Sequence, residues 1–212
     1  DVALSMNEAA WSDGMAAWQT LLGGAESLVD ACSDWMADDK KLATGYAVER
    51  TVTQEFDVSG PEPKALGGKR PRLTLVDMQG RRHLPQDVGV GISQVLPVVV
   101  AAQEGAATMV CIEQPELHIH PAVQVGLGDL FVDGSHKQGL SFLIETHSEH
   151  LVMRLQRRLR EHGLGELPAD VSPLLPDDVS FVYLGRAPDG AVIATAIGLT
   201  ADGKFDSPWP NG

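Results

Sequence analysis

Between Val110 and Gln124 the chain reads Val-Cys-Ile-Glu-Gln-Pro-Glu-Leu-His-Ile-His-Pro-Ala-Val-Gln, so Glu113, Gln114, Glu116, His118 and His120 fall within one short span. A second stretch, Leu140-Ser-Phe-Leu-Ile-Glu-Thr-His-Ser-Glu-His150, adds Glu145, His147, Glu149 and His150. Carboxylates can hold a hard cation such as Mg²⁺, and imidazoles can contact an anion, move a proton or bind a softer metal. In both stretches the polar residues follow a short apolar run, Thr108 to Ile112 and Leu140 to Ile144. Each run suits a strand buried on both faces. Pro121 sits well at a first helical position, where its missing N–H costs nothing. Thr146 with Glu149 three residues later matches a capping box. Two strands that deliver acid and imidazole at their carboxyl ends are what an open parallel α/β sheet uses to build a site.

Upstream, Asp87-Val-Gly-Val-Gly-Ile-Ser-Gln94 leads into an apolar helix expected over Val95 to Gln103. Gly89 and Gly91 permit close backbone approach and positive φ. Ser93 is a candidate N-cap, and the N–H groups of such a helix start attract anions. Two glycines before a helix also make a plain tight turn. Pro97 is expected near the first turn of that helix.

The rest of the chain supplies supports for these segments. Residues 1–45 read as a helical lobe, with Trp11, Met15, Trp18, Leu21 and Leu22 at helical spacing, then Leu28, Cys32, Trp35 and Met36, and Gly23-Gly24 between them. Residues 46–86 read as an antiparallel β-subdomain: a strand from Tyr46 to Val58, a loop from Ser59 to Pro71, a strand from Arg72 to Asp77, a turn at Met78-Gln-Gly80 and a short continuation. Residues 87–165 hold the three polar segments, with helices expected over Pro121 to Val132 and Ser148 to His162. Residues 166–212 read as a hairpin, turned at Ala187-Pro-Asp-Gly190, and an irregular tail.

The chain has 212 residues, 43% of them hydrophobic and 21% charged, which fits a globular domain. A net charge of −13 argues against a surface coated by nucleic acid. Basic clusters remain at Lys69-Arg-Pro-Arg72, at Arg81-Arg82 and on Arg154, Arg157, Arg158 and Arg160. Arg154, Arg157 and Arg158 share a helix face, which is either a solvated face balancing an acidic body or a phosphate contact. Cys32 and Cys111, the latter on a strand expected in the core, read as free thiols of a reducing cytoplasm. No apolar run is long enough to span a bilayer. The first residue is Asp, and the chain is expected to be a piece of a longer protein.

Three of these segments in this order resemble an ABC-class ATPase. Gly89-Val-Gly-Ile-Ser-Gln94 resembles the signature segment. Val110 to Pro121 resembles a Walker B strand with its dimer-contact loop, and Ile144-Glu-Thr-His-Ser148 resembles the switch-histidine segment. The wording is most similar to SMC-like and OLD-like ATPases, within them to prokaryotic AAA-type ATPases that end in an uncharacterised domain. Gly203 and Trp209-Pro210 fit that ending. The resemblance implies a P-loop NTPase fold, ABC-ATPase-like, with a parallel-sheet core, a helical lobe and a small antiparallel β-region. It implies ATP and Mg²⁺ as cofactors and a homodimer that sandwiches ATP. Glu113 would stand on the magnesium side. Gln114 occupies the place of the catalytic Glu, so Glu116 supplies the base or hydrolysis is slow. His147 would contact the γ-phosphate. Gly89, Gly91, Ser93 and Gln94 would cap the partner's ATP, and His120 would lie in the dimer-contact loop. DNA or an effector nuclease is an implied partner, in anti-phage defence or DNA repair.

The sequence contains no Gly-x-x-x-x-Gly-Lys-Ser/Thr segment, because Gly67-Gly-Lys69 is followed by Arg70. The phosphate cradle and its lysine are therefore expected from an N-terminal Walker A lobe or another chain, and these residues alone are expected to be inactive. Two other readings stand beside this one. A non-hydrolysing scaffold would use ATP only to lock a dimer. A metal-dependent hydrolase would gather Glu113, Glu116, His118, His120, Glu145, His147 and His150 around Zn²⁺ or Mn²⁺.

Overall fold

The computed structural model describes Trp11 and residues 14–209. The parts of the expected helical lobe at 1–10 and 12–13, and the ending Pro210-Asn-Gly, lie outside the described residues. Two helices come first, α1 (Met15–Gly23) and α2 (Glu26–Ala37), divided at the glycine pair as the sequence suggests. They bury Leu21, Val29, Cys32, Trp35 and Met36 and pack on the antiparallel sheet and on α3 (Val90–Glu104).

The antiparallel sheet is β1 (Tyr46–Asp57), β2 (Lys64–Asp77) and β3 (Arg82–His83), in that order. The segment expected as a loop up to Pro71 is mostly strand. Pairing with β1 overrides its glycines and proline, with Asp57 opposite Lys64, Glu55 opposite Leu66 and Thr53 opposite Arg70. A register shift between Thr53 and Glu55 absorbs Gly67-Gly68, and Gly67 takes φ +68°. Pro71 is tolerated because β3 pairs only with Leu75 and Val76, so the other edge of β2 is open there. Asp77 closes the turn to β3. Its carboxylate is bonded by His83 and by Arg81, and the His83 bond above all holds its pKa well below the usual carboxylate range.

The parallel pair is β4 (Met109–Glu113) and β5 (Ser141–Glu145), with α4 (Pro121–Gln138) between them and α5 (Glu149–Gly163) after. Pro121 stands at the start of α4, as expected. The helix runs past Val132 to Gln138, where Gly139 caps it at φ +69°. A hairpin of β6 (Phe181–Arg186) and β7 (Val192–Ile197) follows, turned at Ala187 to Gly190. The tail folds back through a Leu199–Phe205 bridge, and Gly203 touches α5 so closely that a Cβ would lie 2.1 Å from the Gln156 carbonyl oxygen. One apolar core joins α1, α2, β1, β2, α3, α4 and α5, with Leu174 and Leu199 from the C-terminal part.

The expectation that β4 and β5 are buried on both faces is corrected. Ile112, Phe142 and Ile144 pack against the core and Val110 is half-buried, whereas Met109 is 58% and Leu143 64% exposed. Helices cover one face of this two-stranded sheet, and alternation then leaves the other face open. Cys111 lies on the open face and is exposed, not in the core. Cys32 is wholly buried, and burial pushes its pKa up to about 12. A disulfide-exchange reagent is therefore expected to label one thiol of the native chain, Cys111, and both only after denaturation. Labelling of Cys32 at the same rate as Cys111 would contradict this packing. Among the described residues no helix is long and apolar enough to cross a membrane.

Candidate functional site

The parallel register sets Glu113 directly beside Glu145 at the carboxyl ends of β4 and β5. Residues in parallel register share a face, so both carboxylates leave the open side of the sheet together. The Gln114 N–H donates to the Glu145 carbonyl at 2.8 Å, which extends the pairing by one residue into the loop. His147 Nε2 stands 3.2 Å from Glu145 Oε1, on side chains that are 78% and 49% exposed. The strand tips therefore present two acids and one imidazole to solvent.

Glu116 is bound differently. Its Oε2 accepts the Thr146 hydroxyl at 2.8 Å and its Oε1 accepts the His147 N–H at 2.6 Å. Both carboxylate oxygens thus tie the loop after β4 to the loop after β5. Gln124, on α4, braces the same junction. Its amide donates to the Ile119 carbonyl at 2.9 Å, and its oxygen accepts from the Ser148 hydroxyl at 2.7 Å. Ser148, not Thr146, is the N-cap of α5, and its hydroxyl accepts the Leu151 N–H. Thr146 is drawn away from the capping role by Glu116 and accepts the Ser148 N–H from outside the helix. Sequence reading missed Gln124 and gave the capping role to Thr146 instead of Ser148. A glutamine one turn into a proline-led helix was the available signal.

The signature-like segment forms the first turn of α3 and not a loop before it. Gly89 is the cap residue, and Ser93 lies inside the helix with its hydroxyl donated to the Pro85 carbonyl at 3.1 Å. Pro97 consequently falls in the helix interior, because the helix begins five residues earlier than expected. Neither Gly89 nor Gly91 has positive φ. Close approach is what Gly91 provides: a Cβ there would meet the His118 carbonyl oxygen at 2.5 Å. A Cβ at Gly89 would meet nothing within 4 Å. Gln94 is exposed on the same turn.

These contacts enclose a cleft of about 380 Å³ lined by Gly89, Gly91, His118, His120, Ala43 and Thr44, among others. The amino ends of α3 and α4 meet in it, so the helix-start N–H groups of α3 and two imidazoles share one concavity, whereas Pro121 brings no N–H to the α4 end. His120 Nδ1 accepts the Ala122 N–H at 3.2 Å and so caps α4. Among the described residues, non-glycine positive φ occurs only at Ala43, Gln114 and His118. Two of these line the cleft and the third adjoins the strand tips. Such strained conformations concentrate at functional sites.

Among the described residues no three or more His, Cys, Asp or Glu side chains gather where they could hold a metal ion. The seven-residue metal centre is therefore not assembled: His118 and His120 belong to the cleft, and Glu116 is spent on hydrogen bonds. Two acids at strand tips do suit Mg²⁺, which keeps several waters and takes one or two carboxylates plus phosphate oxygens. The basic face of α5 is also reassigned. Arg154 Nε and Arg158 Nη2 both bond Asp129 Oδ1 on α4, at 2.7 and 2.6 Å, and Arg157 pairs with Glu161. Arg154 and Arg158 are thus committed to helix packing, and of the three arginines Arg157 alone remains largely solvated.

Residues 55–154 match a family model described as an AAA domain, putative AbiEii toxin, Type IV TA system. No curated protein matches the sequence. Among solved structures, an Smc head bound to the C-terminal winged-helix domain of ScpA aligns at TM-score 0.53 and 12% identity, over 82% of this chain and 43% of that one. An Smc head from Pyrococcus furiosus, bound to the C-terminal domain of ScpA, aligns at TM-score 0.52 and 11% identity, over 88% and 37%. The chain spans less than half the length of these two relatives. Its fold is that of these Smc head domains, a P-loop NTPase fold, and the AAA family model matches within it.

Proposed function

We propose that these residues are the signature, Walker B and switch part of an SMC/OLD-like ATPase head that dimerises around ATP. The observation that carries the reading is the double hydrogen bond of Glu116, which holds the two strand-tip loops as one unit and keeps Glu113, Glu145 and His147 on a single edge. Glu113, with Glu145 beside it, would hold the water shell of a Mg²⁺ ion. When bound, that ion neutralises charge on the phosphoryl oxygens. His147 reaches outward to a γ-phosphate, oriented by Glu145. Gln114 orients a water by hydrogen bonding but takes no proton from it.

A nucleotide bound here takes its cradle from a Walker A segment outside these 212 residues, supplied by a lobe or another chain. That lobe would also cover the open face of β4 and β5, since parallel sheets are normally buried on both sides. The cleft at the start of α3 is proposed to cap the partner head's ATP. Gly89, Gly91, Ser93 and Gln94 line or flank that cleft, and His120 stands at its dimer-facing side. The ATP switch would act on DNA or an effector such as a nuclease, in defence or repair, a step that rests on resemblance alone. The non-hydrolysing scaffold is a second reading. It is favoured by Gln114 at the base position together with the engagement of both Glu116 oxygens.

Gly89 separates folding from function. Its φ of −59° and ψ of 144° suit any residue, and Asp is a better helix cap than Gly. Gly89→Asp is therefore expected to leave the melting temperature equal or higher. It places a negative charge where the ATP phosphates should dock. In light-scattering measurements on the assembled head, ATP with Mg²⁺ should double the mass of the native protein and leave Gly89→Asp monomeric. A variant that still dimerises, or a native head that binds no ATP, would sink the proposal.

A further inference from the structure

The β1–β2 hairpin continues far beyond the core that anchors it. Leu73 and Leu75 are the last buried residues of β2 on the core side, and everything from Lys64 to Arg72 is exposed. On β1, Val52 and Phe56 are exposed too, as is Val58 just beyond its end. The free part is a two-stranded ribbon of about seven to nine residues per strand, about 25 Å long at the usual strand rise.

One strand of it contrasts in charge with the body. Residues 64–72 contain Lys64, Lys69, Arg70 and Arg72 and no acid, in a chain of net charge −13, while the acids of the ribbon, Glu55, Asp57 and Glu62, lie toward its turn, with Asp57 opposite Lys64. Arg50, Arg81, Arg82, Arg154, Arg157 and Arg158 each pair with a carboxylate. Among the described residues, Lys69, Arg70 and Arg72 have no ion-pair partner. Arg70 and Arg72 stand two residues apart on one strand, so they leave the same face, opposite Thr53 and Thr51. A single face of an extended ribbon thus carries two arginines without an ion-pair partner among the described residues, their Cα atoms about 7 Å apart, and Lys69 directly precedes them in the chain. The register of the same ribbon shifts at Gly67-Gly68.

We propose that this ribbon is a contact arm for double-stranded nucleic acid. A two-stranded β-ribbon is one of the elements that the major groove of DNA admits, and guanidinium groups suit its phosphates. The contact stands on the ribbon's own charges and needs no ATP, so it is tested without nucleotide. The Arg154 and Arg158 side chains cannot compete for the role, because Asp129 holds both.

The test is fluorescence anisotropy of a labelled 20-base-pair duplex with the full chain, over about 50 to 200 mM salt. Native protein should bind with a log–log salt slope of about −2 to −3. Arg70→Ala/Arg72→Ala should weaken binding at least about tenfold at the lowest salt and reduce the slope by about two. Arg70→Lys/Arg72→Lys should keep most of the binding, and Arg160→Ala, outside the ribbon, should bind as the native chain does. All three positions are exposed, and unchanged circular dichroism confirms folding. Absence of duplex binding, a double alanine variant equal to native, or a single strand bound as tightly as the duplex would each overturn the proposal. A protein that passes this test but fails the ATP-dimer test keeps the arm and loses the ATPase reading.

Discussion

Gln114→Glu is expected to raise steady-state ATP turnover of the assembled, Walker A-containing head by about 100-fold, the low end of what a placed general base contributes. The backbone at position 114 is already fixed. Its φ is +46°, held by the N–H bond to the Glu145 carbonyl, and Glu meets the same backbone strain as Gln. The exchange therefore changes one atom of the side chain and little of the geometry. Gln can orient a water, whereas Glu can also accept its proton. Glu116 cannot supply that function without giving up the Thr146 and His147 bonds that join the two loops. Turnover assays at saturating ATP, with ATP affinity measured alongside, read the effect. If affinity is unchanged and turnover stays at the native level, the base hypothesis fails and the ATP-locked scaffold becomes the better account.

Asp129→Ala is expected to destabilise the chain by about 3 to 5 kcal/mol, the usual loss when one partner of a buried ion pair is removed. The Arg158 side chain is 4% exposed, and its Nε and Nη1 have no hydrogen-bond partner among the described residues. Asp129 Oδ1 is the acceptor of its Nη2 and of Arg154 Nε. Removing that carboxylate leaves a buried guanidinium uncompensated between α4 and α5. Urea unfolding should show a lower midpoint with an unchanged slope. Glu161→Ala, which removes a more exposed partner, should cost no more than about 1 kcal/mol. A loss below about 1 kcal/mol for Asp129→Ala would mean that the two helices repack without the pair.

The strand–acid–helix pattern around Glu113 and Glu145 was legible because its signals are local. An apolar run, a polar tip and a proline at a helix start are neighbours in sequence, and so is the alternation that marks β1. The glycine-rich part of β2 was not legible. Gly67-Gly68 and Pro71 are loop signals in isolation, and only pairing with β1, with the bulge and the open edge, makes them strand. The start of α3 was misplaced for a related reason. A helix can begin at Gly89 because the backbone of the His118 loop closes against Gly91, a contact 27 residues away in sequence.

The sequence by itself determined which residue types reach the strand tips: Glu113, Gln114, Glu116, Glu145 and His147, with Gln at a position where the resemblance expects an acid. It also determined that no Walker A segment lies among these 212 residues. The tertiary structure decided what each group is free to do. Glu116 and Glu113 are both acids after one strand, yet one is bound at both oxygens and the other faces solvent beside Glu145. Arg154 and Arg70 are both arginines in basic clusters, yet Asp129 neutralises the first and no carboxylate among the described residues pairs with the second. Side-chain type is local information. Partnership depends on which distant segment packs alongside, and only the folded chain sets that.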